Sequence, residues 1–287
     1  MSMVGELKYF LGLQVVQGDD GTRIHQYKYV REILKKFGME SAKTCATPMS
    51  PNDTLAKDES SLQVDLTLYR GMIGSILYCM AIRPDILFSV CLCARFQADP
   101  RETHVKVVKR ILRYLKGIDN LCLFYPKGGD LRLMAYTDAD YAGCKTNHKS
   151  TSGMAQFLGP CLISWGSKKQ SSIALSIVEA EYIVAAACCA QLLWIKQQLS
   201  NYGVSVNCAS ILCDNTSAIN IWKNRVQFSR TKHIEIRYHF LRDCVEKGTI
   251  AMEYCRIEEQ IADIFTKALH REPYEKLRLE LGMTSLT

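Results

Sequence analysis

The run from Leu131 to Asp138 constrains this chain more than any other stretch. Leu131, Leu133 and Ala135 alternate with Arg132, Met134 and Tyr136, the period of two expected of a half-buried strand, and the run ends on Asp138 within YTDADYAG. Carboxyl ends of strands are where α/β proteins place their chemistry. Asp138 and Asp140 are two residues apart, so extended backbone puts both on one face, where two like charges point to a bound cation. An Asp-rich turn capping the strand is the competing explanation on these residues alone.

With 287 residues and 48% hydrophobic content, the chain is long enough for one large domain or two ordinary ones with a sizeable core. A net charge of +7 and a pI of about 8.7 are compatible with a polyanionic partner without demanding one. The 13 cysteines form no C-x-x-C pair and only six histidines are present, so zinc-site spacing is absent. The odd cysteine count, with Cys188 and Cys189 adjacent inside an apolar helix, points to reduced thiols and an intracellular location. MSMVGELKYF is not a basic start followed by an apolar run, and no uncharged span of about 18 residues follows, so no membrane partner is expected. No G-x-S-x-G elbow supports a serine hydrolase.

Taken in order, Lys8 to Val16 reads as a strand, Gly18-Asp19-Asp20-Gly21 as a turn and Thr22 to Gln26 as its hairpin partner. Paired aspartates on such a turn are also how polymerases hold catalytic metals, but a plain Asp-Gly turn explains the stretch better. A helix is expected from Lys28 to Phe37 with Gly38 as its stop, then a loop from Ser41 to Val64. Helices should follow at Leu66–Ala81, Pro84–Phe96 and Glu102–Lys116, the last with a cationic side of Lys106, Lys109, Arg110, Arg113 and Lys116. That side is either a solvated face or a contact for a nucleic-acid backbone. The turn-rich Tyr125 to Gly129 marks a domain boundary.

Beyond it, strands at 131–138, 153–158 and 162–167 precede a long helix at 177–199. A strand at 210–214, a short helix from Thr216, a helix at 234–245, a strand at 249–254 and a helix at 259–269 complete the pattern. The order implies an α/β fold, a mixed sheet with helices on both faces. Three more acids fall at matching positions: Glu181 early in the long helix, Asp214 ending the fourth strand and Asp263 early in the last helix. Clustered carboxylates need compensation, and oxygen-bound divalent metal is the usual form. Glu179 competes with Glu181, since on a helix they point about 200° apart and only one can face the sheet edge.

TDADYAG, LSIVEAEYIVAA, LCDNTSAI, SRTKHIEIRYHFLRD and QIADIFTKAL together resemble the ribonuclease H domain of copia-type LTR retrotransposon polyproteins over about Arg132 to Leu269. GELKYFLGLQV, HQYKYVREILKKFG, YRGMIGSILYCMAIRPDILFSV and KRILRYLKG resemble the reverse-transcriptase segment that follows the polymerase catalytic hairpin of that family. The family's aromatic-x-Asp-Asp motif is missing, so DNA synthesis is not expected. The resemblance implies a reverse-transcriptase palm-end remnant and linker at 1–60, a helical thumb- or connection-like region at 61–128, a ribonuclease H domain with a five-stranded mixed sheet at 129–270 and a C-terminal tail at 271–287.

The resemblance makes Asp138, Glu181, Asp214 and Asp263 the catalytic and metal-binding carboxylates, and favours Glu181 by its register before Tyr-Ile-Val-Ala. It implies two Mg²⁺ ions, with Mn²⁺ as a substitute, bridged by Asp138 in hydrolysis of the RNA strand of an RNA–DNA hybrid. The 2′-hydroxyls would tell RNA from DNA. Contacts to the hybrid's backbone are expected from Lys149, Lys168, Lys169, Arg230 and Lys232, with Ser176 and His233 as phosphate-facing candidates. For Ser176 a helix N-cap is the competing role. Implied partners are the hybrid and the rest of a retrotransposon polymerase, in cytoplasmic virus-like particles or the nucleus. The alternative function is a catalytically silent remnant that binds nucleic acid or another chain.

Overall fold

Asp19 and Asp20 form the two-residue turn of a hairpin, with Gly18 and Gly21 paired across its base. Asp20 folds back to an exposed ion pair with Arg23 at 2.7 Å, so the Gly-Asp-Asp stretch folds as a hairpin turn. The structure, a computed structural model, describes residues 6–53, 55–58, 60–223 and 232–286, with backbone alone at 221–223 and 232–238.

The chain divides into two compact units, one of Met1–Gly128 with Ala268–Thr287 and one of Gly129–Lys267. The first contains β1 (Tyr9–Phe10), β2 (Leu13–Gly18), β3 (Gly21–His25), α1 (Tyr27–Lys36), α2 (Leu66–Cys79), α3 (Leu87–Ala94), α4 (Glu102–Gly117) and β4 (Leu121–Pro126). The second contains β5 (Leu133–Asp140), β6 (Thr151–Leu158), β7 (Cys161–Lys169), α5 (Ile177–Asn201), β8 (Ala209–Cys213), α6 (Thr216–Lys223), α7 (Lys232–Glu246) and β9 (Ile250–Tyr254). The chain then returns to the first unit through α8 (Arg271–Glu280) and β10 (Met283–Ser285).

Several expectations change in the first unit. The strand expected at Lys8–Val16 is broken, because Leu11 and Gly12 take positive φ of 50° and 79° and make a turn between β1 and β2. The helix expected at Pro84–Phe96 starts as a 3₁₀ turn over Pro84–Ile86. The cationic side of α4 is partly used up inside the protein: Arg110 donates to Thr47 O at 3.2 Å and Lys116 to Ala42 O at 2.7 Å, which leaves Lys106 and Lys109 exposed. The stretch 271–287, read as a tail, is instead α8 and a strand that pairs antiparallel with β4, so the sheet runs β1-β2-β3-β4-β10. In the same unit Arg83 and Asp85 form a buried two-pronged ion pair at 2.9 and 2.7 Å, and Tyr114 donates to the same carboxylate at 2.6 Å. Tyr274 of α8 donates to the Asp85 main chain at 3.0 Å and so ties the returning segment to this unit.

In the second unit the sheet order is β7-β6-β5-β8-β9. β5, β6 and β7 are antiparallel neighbours, whereas β8 is parallel to β5 and β9 to β8. The mixed sheet expected from the pattern is the one observed. Leu133, Ala135, Ala209 and Ile211 of the sheet pack with Ala185, Cys188, Cys189, Leu192 and Ile195 of α5 and with Leu241 and Cys244 of α7. Among the described helices α5 is long and apolar enough to cross a membrane by length and composition, yet 56% of its apolar stretch is buried within the protein. A helix apolar on most sides suits a core position.

The helix expected at 259–269 is replaced by two short 3₁₀ turns, Ile257–Glu259 and Ile261–Phe265. The second lies flat over β5 and β6: Gln260 caps it by accepting from Ala262 N and donates to Thr137 O at 3.0 Å. Gly153, paired directly opposite Asp138, makes this approach feasible, because an added Cβ would stand 2.6 Å from Thr266 Cγ2 and 2.8 Å from the Ala262 carbonyl oxygen. Gly153→Ala is therefore expected to destabilise the protein by about 1–3 kcal/mol through overpacking. Denaturant unfolding measures it, and an unchanged midpoint would contradict the contact.

Candidate metal centre

Three elements of the second unit deliver the carboxylates. Asp138 lies within β5, which runs two residues further than its alternation suggested, to Asp140. Alternation puts Asp138 on the side of the sheet away from Leu133 and Ala135, under the 3₁₀ turn. Asp214 is the first residue after β8, which lies parallel to β5, so both strands end in the same direction. The turn it begins is fixed by Asn215 Oδ1, which accepts from Ala218 N at 2.9 Å at the start of α6.

The start of α5 decides between its two glutamates. Ser176 has extended backbone and its hydroxyl accepts from Glu179 N at 3.1 Å, the N-cap role. Glu179 turns back to accept from Leu175 N at 2.8 Å. Glu181 turns to the sheet: one carboxylate oxygen accepts from Ala139 N at 3.2 Å, and the other from the Cys213 thiol at 3.8 Å.

Carboxylate oxygens of Asp138, Glu181 and Asp214 lie within 4.8 Å of one another. They line an open cleft of about 540 Å³ together with Asp140, Asn215, Thr216 and Lys267. Asp263 stands beside this trio, outside the 4.8 Å group, and its Oδ1 is ion-paired to Lys267 at 2.9 Å. Thr266, from the same turn, donates its hydroxyl to Asp138 Oδ2. Asp140 bends over the turn at Gly143 instead of joining the trio.

This crowding is visible in the proton affinities. Burial, and then the charges of Asp138 and Asp214, push the Glu181 carboxyl up to about 9 from 4.5. Burial and Asp138 push Asp263 up to about 7 from 3.8, against the pull of Lys267. Asp138 and Asp140 are also raised, both chiefly by burial. Burial disfavours the Lys267 charge, but Asp138, Asp263 and Asp214 outweigh it and its affinity for the proton rises. An all-oxygen set of this density, only partly neutralised by one ammonium, fits a hard divalent cation.

The basic candidates are placed elsewhere. Lys149 donates to Ser171 O, and Lys168 and Lys169 end β7 at a second groove of about 500 Å³ floored by Ile183, Ala186, Ala187, Ala190 and Phe240. Arg230 and the side chains of Lys232 and His233 lie outside the described residues. Sequence reasoning missed Thr266, Lys267 and Cys213. The Asp263-to-Lys267 spacing of i,i+4 was a usable signal, whereas nothing local marks Cys213 as a partner for Glu181.

A mixed sheet whose central strand, parallel neighbour and long helix converge three carboxylates on one cleft defines a ribonuclease H-like domain. The family model described as reverse transcriptase (RNA-dependent DNA polymerase) matches residues 1–51. The retrovirus-related Pol polyprotein from transposon RE1 of Arabidopsis thaliana is 38% identical over 97% of this chain and 19% of its own length. That from transposon TNT 1-94 of Nicotiana tabacum is 35% identical over 99% of this chain and 22% of its own length. An uncharacterized mitochondrial protein of Arabidopsis thaliana is 33% identical over 68% of this chain and 80% of its own. Among solved structures, the foamy viral protease-reverse transcriptase in complex with double-stranded DNA matches 86% of this chain and 37% of its own at 10% identity, TM-score 0.49. The N-terminal ribonuclease H domain of a Mycobacterium tuberculosis protein matches 52% of this chain and 98% of its own at 10% identity, TM-score 0.36. The chain belongs to the copia-type retrotransposon Pol polyprotein family. It spans about a fifth of the length of the curated relatives it matches first, 19% in each of the first two.

The raised acids carry a sign for stability. Glu181 and Asp263 hold protons more tightly folded than unfolded, so the folded state binds more protons than the unfolded chain between the ordinary values, 4.5 and 3.8, and the folded ones, about 9 and about 7. Their contribution is fully present below that window and is lost as pH rises through it. The melting temperature of the metal-free protein in chelator should therefore fall from about pH 5 to about pH 9, and Glu181→Gln should flatten the upper part of the fall. A rising profile in wild type would overturn the burial argument.

Proposed function

We propose that this chain is a metal-dependent endonuclease that hydrolyses the RNA strand of RNA–DNA hybrids during retrotransposon reverse transcription. The observation that carries this reading is the convergence of Asp138, Glu181 and Asp214 within 4.8 Å in an open cleft. Family membership supports it, since the relatives are Pol polyproteins of transposons.

In this reading Asp138, Glu181 and Asp214 are the ligands of a Mg²⁺ site in which Mn²⁺ can substitute, and Asp263 acts at its edge. The bound cation supplies an activated water and neutralises charge gathering on the scissile phosphate. The residues themselves do the orienting. Ala139 N–H and the Cys213 thiol hold the Glu181 carboxylate from two sides, and the Thr266 hydroxyl holds Asp138. Lys267 presents an ammonium to the same cleft, which favours an incoming phosphodiester.

Contacts insensitive to sequence fall to Lys168 and Lys169, with Lys149, Arg230, Lys232 and His233 as further candidates. Ser176 is already engaged as a cap, so the phosphate role passes from its hydroxyl to these cations. The partners in this reading are an RNA–DNA hybrid and the remaining segments of a retroelement polymerase, inside cytoplasmic virus-like particles or the nucleus.

Labelled RNA annealed to DNA tests the reading directly. Wild type with Mg²⁺ should cut the RNA strand, and Asp138→Asn should lose about 100-fold or more of the rate. No cleavage by wild type would favour the silent-remnant alternative, and equal cleavage by both would place the chemistry at other residues.

A further inference from the structure

We infer that residues 271–287 are a separable partner of the first unit. A surface made by β4, Tyr114 and the Arg83–Asp85 ion pair takes this segment as a docked helix and strand, and holds it without the continuous chain that joins them through the second unit.

The segment is shaped for docking. Tyr274, Leu277 and Leu281 recur at three and four residues along α8 and its end, and all three are buried, as is Met283 of β10. Two ion pairs of i,i+4 spacing, Arg271 with Glu275 at 2.9 Å and Lys276 with Glu280 at 3.7 Å, support the helix from within the segment itself. Gly282, at φ 79°, ends the helix and lets the strand follow at once.

The surface is complete in residues that precede the second unit. β3 pairs with one side of β4, so without β10 the other side is an open edge. The segment closes it with main-chain bonds at both ends of the pairing: Phe124 N donates to Gly282 O at 3.0 Å and Leu286 N to Asn120 O at 2.9 Å. Beside the edge, Arg83, Asp85 and Tyr114 already hold one another, and the Tyr274 hydroxyl meets the Asp85 main-chain oxygen at 3.0 Å and the Tyr114 hydroxyl at 2.9 Å. Arg278 donates to that same Tyr114 hydroxyl at 3.3 Å. Addition of a strand to an open edge, with a buried aromatic anchor beside it, is a general way of binding peptides. None of these contacts uses residues 129–267, so the second unit is an insertion between two members of one binding pair. Cutting the chain beside it removes a tether and leaves every one of these contacts in place.

A site-specific protease sequence inserted between Ala268 and Leu269 of the full chain tests this. After cleavage the 269–287 piece should stay with the remainder through size exclusion at about 1 µM, identified by mass spectrometry, and part from it only in denaturant. Tyr274→Phe, which keeps the ring and removes the hydroxyl, should raise the dissociation constant of the cut piece about three- to tenfold. Leu281→Ala should raise it at least about 30-fold. Elution of the wild-type piece on its own would overturn the inference, and so would equal retention in wild type and Leu281→Ala. If the melting curve of uncut Leu281→Ala shows that it does not fold, Tyr274→Phe decides: an unchanged dissociation constant there overturns the inference as well.

Discussion

The repulsion among Asp138, Glu181 and Asp214 is the constraint that the rest of the second unit answers to. Two unit charges about 4 Å apart at an effective dielectric near 20 repel by about 4 kcal/mol, comparable to what two or three buried aliphatic side chains contribute at about 1.5–3 kcal/mol each. The apolar layer of Leu133, Ile211, Leu192, Ile195 and Leu241 is large enough to hold the trio together, but it does not remove the strain. Without a cation, burial first and the neighbouring Asp138 charge second favour the protonated acids, so Glu181 and Asp263 keep their protons to about 9 and about 7. The donors placed around the trio reduce it further while fixing direction: a main-chain N–H, a thiol, a hydroxyl and one ammonium.

The thiol has a consequence for how the centre is built. Cys213 ends β8 immediately before Asp214, so one strand end both supplies one of the clustered carboxylates and orients another. Its own sulfur accepts from Asn215 N at 3.4 Å, which fixes the turn that carries Asp214. Burial raises the thiol far above its ordinary affinity for the proton, so it stays neutral and adds no charge to the cluster. A neutral, weak donor at this point aligns Glu181 without competing for a hard cation, which prefers oxygen.

Most of the second unit could be read from the chain because its signals are local. Alternation located β5, turn residues separated it from β6 and β7, and an uninterrupted apolar helix located α5; each needs a window of about 10–25 residues. Asp138 and Asp214 were legible for the same reason, since each lies at or next to the end of a strand pattern. The failures are non-local. Leu121–Pro126 joins a sheet with Met283–Ser285, and Cys122 and Thr284, paired across it, are 162 residues apart, so neither segment declares its partner. QIADIFTK has helical spacing, yet it lies as a 3₁₀ turn against β5 and β6 because Gly153 lets it approach so closely, and that glycine is more than a hundred residues upstream. The partial use of the cationic side of α4 was hidden in the same way, because the loop that satisfies Arg110 and Lys116 lies far back in the chain.

The choice between Glu179 and Glu181 shows how one boundary sets the register of the whole site. A helix must satisfy its first amides, and Ser176 does so by accepting from Glu179 N, which fixes where the turns of α5 begin. With that start, position 181 faces the end of β5, while each step along the helix rotates a side chain by about 100°. Position 180 is then buried in a small apolar cluster of Ala139, Ala174, Ala180 and Val184, and position 182 puts Tyr182 into the main core. A carboxylate at either neighbour would be desolvated without a partner, and one at 179 is already engaged with Leu175 N. The cap residue, which is not one of the three clustered carboxylates, thereby determines which glutamate meets Asp138.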